Sequence, residues 1–267
     1  MTGRLSQIWR YPVKSIGRQK LDSARLEAGR TLPWDRHWAV MHDSATQRLT
    51  EGDQLAGWLP KAAFLRGAAG PELQAISGGL TNGKLCLQHP TAGEIELDPT
   101  KDEDHASLLD WLRPLWPAEK PEPALLVTGP VPLTDSRAPF ISILSLDSLR
   151  AVESHVGQRL GVERWRGNLW VEGFKPFAER EWIGKCLRIG EATVILREGI
   201  GRCAATSVDT DTGEPDHDMI RVLTEGFGDA CFGVYAEVLT GAEIAPLDEI
   251  IVVELDETQP RSESLTA

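Results

Sequence analysis

The sequence predicts a mainly β protein with a few helices, of the α+β class and divided into two domains. Short segments that mix apolar and polar residues, bounded by Gly, Pro and Asp, dominate the first half of the chain and return near its end. A proline-rich stretch at 116–123 is typical of a stiff, extended connector. We therefore predict one domain over residues 1–120, a second over 121–256 and a flexible polar tail over 257–267.

Strands account for most of the predicted secondary structure. The strongest local signal is the Asn82-Gly83 pair, because both residues can adopt the positive φ angles of a tight hairpin turn. A second hairpin is predicted to join 85–88 to 94–97. The other predicted strands are 4–10, 21–28, 37–42, 168–171, 187–189, 193–197, 233–239 and 250–254.

Two helices are predicted beside these strands. Leucines recur at helical spacing over 104–115, and Pro117 follows directly afterwards. A second helix over 146–155 starts behind Ser145, whose hydroxyl can cap the first amides, and it stops at Gly157.

Composition and charge exclude several classes of protein. A net charge of −12 over 267 residues opposes a long phosphate-binding surface, so no nucleic-acid partner is expected. No stretch approaches the roughly 20 apolar residues of a membrane span, and the N-terminus lacks the apolar core of a signal peptide. We therefore expect no membrane partner and a cytoplasmic, reducing location.

Several familiar motifs are absent or out of register. The four cysteines form no C-x-x-C pair, which argues against a zinc ribbon or an iron–sulfur cluster. The segment 199–204 has the glycine spacing of a dinucleotide fingerprint, but turn-forming residues at 207–215 stand where that motif needs a helix. The segment 209–213 begins like a calcium loop, but its glycine is misplaced.

Cys203 is the one cysteine with a reactive setting, because Arg202 precedes it in a glycine-bounded loop after a predicted strand. A guanidinium beside a thiol favours the thiolate. The residues alone leave open the alternative that Cys203 is buried and inert, as free cysteines usually are. A core position is predicted for Cys86, Cys186 and Cys231, which lie in apolar, strand-like patterns.

Three segments with turn residues each carry a cation. They supply Lys14 as a point charge, and Arg36 and Arg166 as planar guanidinium forks. Together with Arg202 these groups have the chemistry that binds a phosphate or an anionic cofactor. Spacing alone does not show that the segments meet.

In this order, these segments resemble the MOSC proteins, a family that includes the mitochondrial amidoxime-reducing component and bacterial relatives. The N-terminal part is similar to the family's accessory β-barrel domain, and the C-terminal part to the MOSC domain. The segments that carry the resemblance are Tyr11-Pro12-Val13-Lys14-Ser15, Asp35-Arg36-His37-Trp38, Arg166-Gly167-Asn168, Phe177-Ala178-Glu179, Ile189-Gly190, Arg202-Cys203, Asp209-Thr210-Asp211-Thr212-Gly213 and Phe232-Gly233-Val234-Tyr235. The resemblance implies two apposed β-barrel-like domains of the MOSC fold, with a cofactor in the cleft between them.

The resemblance also implies the cofactor and its ligands. The cofactor would be the molybdenum cofactor, a molybdopterin, with Cys203 as the catalytic thiolate and metal ligand. The matching cofactor-binding residues are Lys14, Ser15, Arg36, Arg166, Asn168 and Arg202. The family is further associated with pyridoxal phosphate binding.

The function implied by the resemblance is the two-electron reduction of small N-hydroxylated substrates. Since the chain lacks patterns for an iron–sulfur cluster or a bound nucleotide, a separate electron-transfer protein is expected as its partner. The main alternative is a non-catalytic carrier of molybdenum cofactor, or of sulfur as a persulfide on Cys203. A third possibility is a β-barrel binding module without molybdenum.

Two positions depart from the family pattern. Gly167 stands where many relatives carry proline, which loosens the backbone but leaves the flanking polar residues in register. Leu247 occupies a turn position where the family usually has glycine, so that hairpin is expected to differ.

Overall fold

The computed structural model describes residues 2–49 and 55–254, so the predicted tail at 257–267 lies outside the described residues. The prediction of a mainly β protein with a few helices is confirmed. The described strands are β1 (Thr2–Arg10), β2 (Gln19–Leu21), β3 (Ala24–Arg25), β4 (Trp38–His42), β5 (Ser77–Thr81), β6 (Lys84–His89), β7 (Gly93–Leu97), β8 (Pro123–Thr128), β9 (Ile141–Ser145), β10 (Leu169–Glu172), β11 (Cys186–Ile189), β12 (Ala192–Gly201), β13 (Cys231–Thr240), β14 (Glu243–Ile244) and β15 (Glu249–Val253). The described α-helices are α1 (Asp102–Leu112), α2 (Leu146–Val156) and α3 (Met219–Phe227).

Seven strands close into a barrel in the order β1, β10, β9, β13, β12, β11 and β15, with β15 pairing back to β1. Neighbouring strands are antiparallel except β9 and β10, which run parallel. Alternate residues face inward, as the strand period requires: Val234, Ala236 and Val238 of β13 all join the apolar core. Six barrel strands belong to the C-terminal half of the chain, and the first strand of the chain completes the circle.

Strands β4 to β8 contribute to a second apolar core. Strands β5, β6 and β7 form a three-stranded meander, and β4 pairs with β8. The turn between β5 and β6 confirms the predicted hairpin, with φ of 51° at Asn82 and 80° at Gly83. Helix α1 contributes Leu108 and Leu112 to this core.

Helix α2 forms where its end signals predict it. The hydroxyl of Ser145 accepts hydrogen bonds from the amides of Asp147 (3.2 Å) and Ser148 (3.3 Å). Gly157 ends the helix with a φ of 78°, a left-handed conformation that glycine adopts without steric cost. Within the described ranges, no helix is both long and apolar enough to cross a membrane.

Strands β8, β9 and β14 and helix α3 escape prediction from the sequence. Strand β9 is buried at every position, so it lacks the alternation that marks a half-buried strand. Helix α3 directly follows turn residues that hide its start, and it is capped by Asp218, whose carboxylate accepts from the amide of Arg221 (3.1 Å). Strands β1 and β8 each pair with strands from the other side of residue 120, and the domain boundary placed there stays a prediction.

Candidate functional site

All seven residues that the sequence analysis selects line one cavity of about 170 Å³. They are Lys14, Ser15, Arg36, Arg166, Asn168, Arg202 and Cys203. Residues from β9, β12 and β13 form the wall on the barrel side, and segments of the N-terminal half form the facing wall. The fold therefore brings together residues whose meeting the spacing of the sequence could not establish.

The charge of the cavity is opposite to that of the whole chain. Seven cationic side chains and two carboxylates line the cavity, although the protein carries a net charge of −12. The cations are Lys14, Arg36, Lys61, Arg66, Arg164, Arg166 and Arg202, and the carboxylates are Asp35 and Asp135. A concave surface of one sign focuses the electric field and raises the local concentration of ions of the other sign. The cavity therefore suits an anionic ligand.

Lys14 is held by a carboxylate and a carbonyl. Its backbone amide donates to the carbonyl of Trp38 (2.8 Å), which fixes the segment beside β4. Its Nζ donates to the carboxylate of Asp135 and to the carbonyl of Leu133 (2.9 Å). Burial lowers the pKa of Lys14, and Asp135 opposes that shift. An ammonium has three hydrogens, so this geometry leaves one for a ligand.

Arg36 combines a strained backbone with a fixed guanidinium. Its φ of 49° is left-handed, and the cavity residues Ser15 (63°) and Arg166 (49°) share this costly conformation, which is typical of functional sites. The Arg36 guanidinium pairs with Asp35, donates to the carbonyl of Arg166 (2.8 Å), and lies 4.5 Å from the ring centroid of Tyr11. Burial lowers the pKa of Arg36, but Asp35, Tyr11 and Asp135 together outweigh burial, and the pKa is raised overall.

Arg166 has no carboxylate partner among the described residues. Its guanidinium donates to the carbonyls of Gly17 (3.0 Å) and, weakly, Val13 (3.5 Å), and its Cζ lies 4.4 Å from the ring centroid of Tyr11. Burial, followed by repulsion from Arg36, lowers the pKa of Arg166 to about 9. A bound anion would restore the electrostatic stabilisation that this partly buried charge lacks.

Arg202, which precedes Cys203 in the chain, resembles Arg166 in having carbonyl groups as acceptors. It donates to the carbonyls of Phe232 (2.8 Å from Nε) and Trp165 (2.8 Å) and pairs with no carboxylate in the described chain. Burial lowers the pKa of Arg202 to about 10, although Tyr235 and Cys203 act in the opposite direction. Arg166 and Arg202 are therefore two partly buried cations in one cavity, and neither has a carboxylate partner in the described chain.

Asn168 has most of its hydrogen-bonding capacity committed within the protein. Its Oδ1 accepts from the amide (3.1 Å) and the hydroxyl (2.8 Å) of Ser142, and its Nδ2 donates to the carbonyl of Trp9 (3.2 Å). The side chain therefore ties β9 to β1 and keeps one amide hydrogen for a ligand. A Cβ on the preceding Gly167 would lie 2.2 Å from Cδ1 of Leu144, so glycine permits close packing here.

Cys203 is exposed, which rules out the buried, inert alternative for this thiol. It lies directly before a 3-10 turn at Ala204–Ser207, and its carbonyl accepts from the amide (3.0 Å) and the hydroxyl (2.9 Å) of Thr206. The thiol therefore lines the cavity from a loop rather than from a strand.

The prediction that the other three cysteines occupy the core is correct only for Cys186. Cys86 and Cys231 are partly buried, because each takes an outward position on its strand. Their neighbours Leu85 and Phe232 face the core instead, as the period of two requires.

Sequence reasoning missed several residues that line the cavity. Lys61 and Arg66 are exposed cations in a segment without a clear secondary-structure signal. Gln74 lies in a 3-10 helix at Pro71–Ala75, which periodicity does not reveal. Arg164 belongs to the same turn as Arg166, and its proximity in sequence was an available signal. Tyr235, part of a family segment, also lines the wall.

Comparison with protein families assigns both parts of the chain. The MOSC N-terminal beta barrel domain matches residues 2–113, and the MOSC domain matches residues 132–251. The chain belongs to the MOSC family. The family is associated with the molybdenum cofactor, and all seven predicted site residues fall inside the two matched ranges.

Individual relatives are more distant. A molybdenum cofactor sulfurase from Anopheles gambiae is 35% identical over 75 residues, which is 28% of this chain and only 10% of the relative's own length. The YuaD protein of Bacillus subtilis aligns over 96% of this chain and 98% of its own at 12% identity, with a TM-score of 0.46. YiiM from Geobacillus stearothermophilus aligns over 43% of this chain and 54% of its own at 16% identity, with a TM-score of 0.34. TM-scores below 0.5 add nothing to the fold described above.

Proposed function

We propose that this MOSC protein binds the molybdenum cofactor in the cavity and uses it to reduce small N-hydroxylated compounds. The observation that supports this proposal is an exposed thiol, Cys203, beside partly buried guanidinium groups that have no carboxylate partner in the described chain. Membership of the family points to the same cofactor. A non-catalytic carrier of the cofactor or of sulfur is the alternative.

The donor set fits such a cofactor. The pterin carries a phosphate, and Arg36, Arg166 and Arg202 each keep guanidinium hydrogens that no described acceptor uses. A thiolate is a soft ligand of the kind that a molybdenum centre takes. The described residues contain no group of three or more His, Cys, Asp or Glu side chains suited to a metal, so Cys203 would be the protein's own contribution to the metal.

When bound, the cofactor would supply a metal centre that accepts and donates two electrons. The protein's part is to bind and orient it. Arg166 and Arg202 would neutralise its negative charge from partly buried positions, and Asp135 would hold the Lys14 ammonium against one wall. We propose that the electrons come from a separate electron-transfer protein, in the reducing cytoplasm.

Metal analysis of the Cys203→Ser variant tests the cofactor assignment. The substitution changes one atom of an exposed side chain, so packing is preserved, but it replaces a soft, ionisable sulfur with a hydroxyl that stays protonated. In protein from a molybdenum-replete host, we expect X-ray absorption to show one sulfur scatterer fewer than in wild type, and N-reductive activity to be lost. Cys231→Ser, at a partly buried thiol, is the matched control. An unchanged sulfur count with retained activity would remove Cys203 from the metal.

Turnover separates the enzyme from the carrier. We expect the purified, loaded protein to reduce a simple amidoxime with an artificial electron donor and to show no turnover with NADH alone. Stable molybdenum binding without any amidoxime reduction would favour the carrier. Sustained NADH-driven turnover without an added reductase would contradict the need for a separate electron-transfer protein.

A further inference from the structure

Side chains of the N-terminal half of the chain form hydrogen bonds to the loop that carries Cys203. This loop comprises residues 203–216 and is called the Cys203 loop. Nε2 of Gln74 donates to the carbonyl of Ala205 (2.9 Å), and Nη2 of Arg18 donates to the carbonyl of Thr210 (3.0 Å). Nη1 of Arg18 also donates to the carbonyl of Gln74 (2.7 Å). The Arg18 side chain is therefore bonded to the backbone of Gln74, and we call the two residues the Arg18–Gln74 clamp.

The clamp is shielded from solvent. Gln74 is 2% exposed, and the side chain of Arg18 is 12% exposed. Burial lowers the pKa of Arg18, while Glu163 and Asp211 oppose that shift. Hydrogen bonds are stronger in such surroundings than in water, and breaking one leaves a buried group unpaired. The clamp is therefore costly to open.

A third contact brings the far end of the Cys203 loop to the same place. Gly213 has a φ of 77°, and a Cβ at this position would lie 3.0 Å from the Cα of Glu72. Glu72 belongs to the 3-10 helix Pro71–Ala75, which also carries Gln74. Glycine thus allows the loop to lie directly against the helix that holds its other end.

We propose that the Arg18–Gln74 clamp positions the Cys203 thiol inside the cationic cavity. Cys203 precedes the clamped Ala205 by two residues, so the bond to Gln74 fixes the turn from which the thiol projects. Arg18 and Gln74 are positioning residues, because they act through the loop. The inference rests on the proposed function for its consequence, since Cys203 is the proposed metal ligand, but its test needs no cofactor.

The test measures the electric field at the thiol. The full-length chain is prepared from a host that cannot make the cofactor, and each cysteine is alkylated with anionic iodoacetate or with neutral iodoacetamide, followed by mass spectrometry. Both reagents attack the same thiolate, so the ratio of their rates reports the local potential and not the thiolate fraction. We expect the ratio of the iodoacetate rate to the iodoacetamide rate at Cys203 to be about ten times that of the urea-unfolded chain, and to fall with added salt.

The clamp variants should lose the difference in alkylation-rate ratio between the folded and the urea-unfolded chain. We expect Gln74→Met and Arg18→Met, which remove the donors but keep most of the volume, to bring the ratio at Cys203 close to that of the unfolded chain. Arg18→Lys keeps a donor and should restore part of it. Gln19→Met is the matched control, because Nε2 of Gln19 donates to the carbonyl of Leu80 (3.0 Å), away from the Cys203 loop. That variant should keep the wild-type ratio.

Two results would overturn the proposal: a wild-type ratio equal to that of the unfolded chain, or clamp variants with the wild-type ratio. If Gln74→Met does not fold, Gln74→Asn provides a second test, since its amide is one methylene short of Ala205 and should also lower the ratio. Failure of the proposed function has a different signature. It would appear as absence of molybdenum from protein made in a replete host, whatever the alkylation ratio.

Discussion

Arg164 and Arg166 lie two residues apart at one 3-10 turn, Arg164 buried and Arg166 partly buried, and their partners differ in kind. Arg164 binds the carboxylate of Asp216 through two hydrogen bonds (2.9 and 2.7 Å) and also donates to the carbonyls of Leu160 (2.9 Å) and Thr206 (3.2 Å). Arg166 has carbonyl acceptors and an aromatic ring, and no carboxylate in the described chain. One turn therefore carries Arg164, whose charge a carboxylate neutralises, and Arg166, whose charge no described carboxylate neutralises.

The kind of partner that a shielded cation has indicates whether its role is structural or ligand-binding. A charge that is paired inside the protein contributes to the fold, because removing it strands its partner. A charge that contacts only neutral dipoles costs desolvation energy without full compensation, and it gains from an external anion. Four substitutions, each with a different expected effect on the free energy of unfolding, test this distinction.

Arg164→Met should have the largest effect. The substitution leaves Asp216 without its guanidinium and removes donors from two buried carbonyls, so we expect a loss of about 3 kcal/mol in the free energy of unfolding, measured by urea denaturation. The double variant Arg164→Met/Asp216→Asn should recover part of that loss, since the stranded charge is gone. A loss below about 1 kcal/mol would show that the pair is not a structural one.

Arg36→Met should combine both behaviours, because Arg36 pairs with Asp35 and also lines the cavity. We expect a loss of about 1.5–3 kcal/mol in the free energy of unfolding, since Asp35 is 2% exposed and would keep only the hydrogen bond from the Tyr11 amide (2.9 Å). Molybdenum occupancy after dialysis should fall as well. Full occupancy in this variant would remove Arg36 from the cofactor site.

Glu179 extends the comparison to a buried carboxyl group that faces a hydroxyl. The Ser148 hydroxyl lies 2.8 and 2.9 Å from its two oxygens, and burial raises the pKa of Glu179. Between the ordinary and the raised pKa the folded chain keeps a proton that the unfolded chain has lost, so stability should fall as pH rises through this window. The slope is at most about 1.4 kcal/mol per pH unit for one proton.

Glu179→Gln should remove this slope, as measured by denaturation at a series of pH values. Glu172 is the control with the opposite sign, because hydrogen bonds from Arg150 and Arg4 lower its pKa despite partial burial. Its contribution to stability should be lost as pH falls through the lowered pKa. An unchanged pH profile for Glu179→Gln would mean that Glu179 titrates alike in the folded and unfolded chain.

Arg166→Met should have the smallest effect on the fold and a large one on the ligand. We expect the free energy of unfolding to change by less than about 1 kcal/mol, because the lost carbonyl contacts are offset by removing a partly buried charge that has no carboxylate partner in the described chain. Cofactor affinity should fall about tenfold or more, since a charge-assisted contact to an anion is worth roughly 1.5–3 kcal/mol. Stability loss comparable to that of Arg164→Met, with full molybdenum occupancy, would abolish the distinction.

Features that depend on neighbouring residues in the chain could be predicted from the sequence. Asn82 and Gly83 form their hairpin because their own backbone preferences match the turn, and α2 starts and ends at the caps read from Ser145 and Gly157. The site residues were also available, because the order of motifs along the chain identifies the family. Their presence in one cavity agrees with that selection, while the role of each stays a prediction.

The pairing partners of strands and of charged side chains could be identified only from the tertiary structure. Closure of the barrel by β1 depends on pairing with β10 and β15, strands from the other half of the chain. The contrast between Arg164 and Arg166, and the grip of Arg18 on the Cys203 loop, likewise depend on acceptors far away in sequence. A local pattern encodes the conformation of a segment, whereas burial and charge pairing are properties of the surroundings that distant segments create.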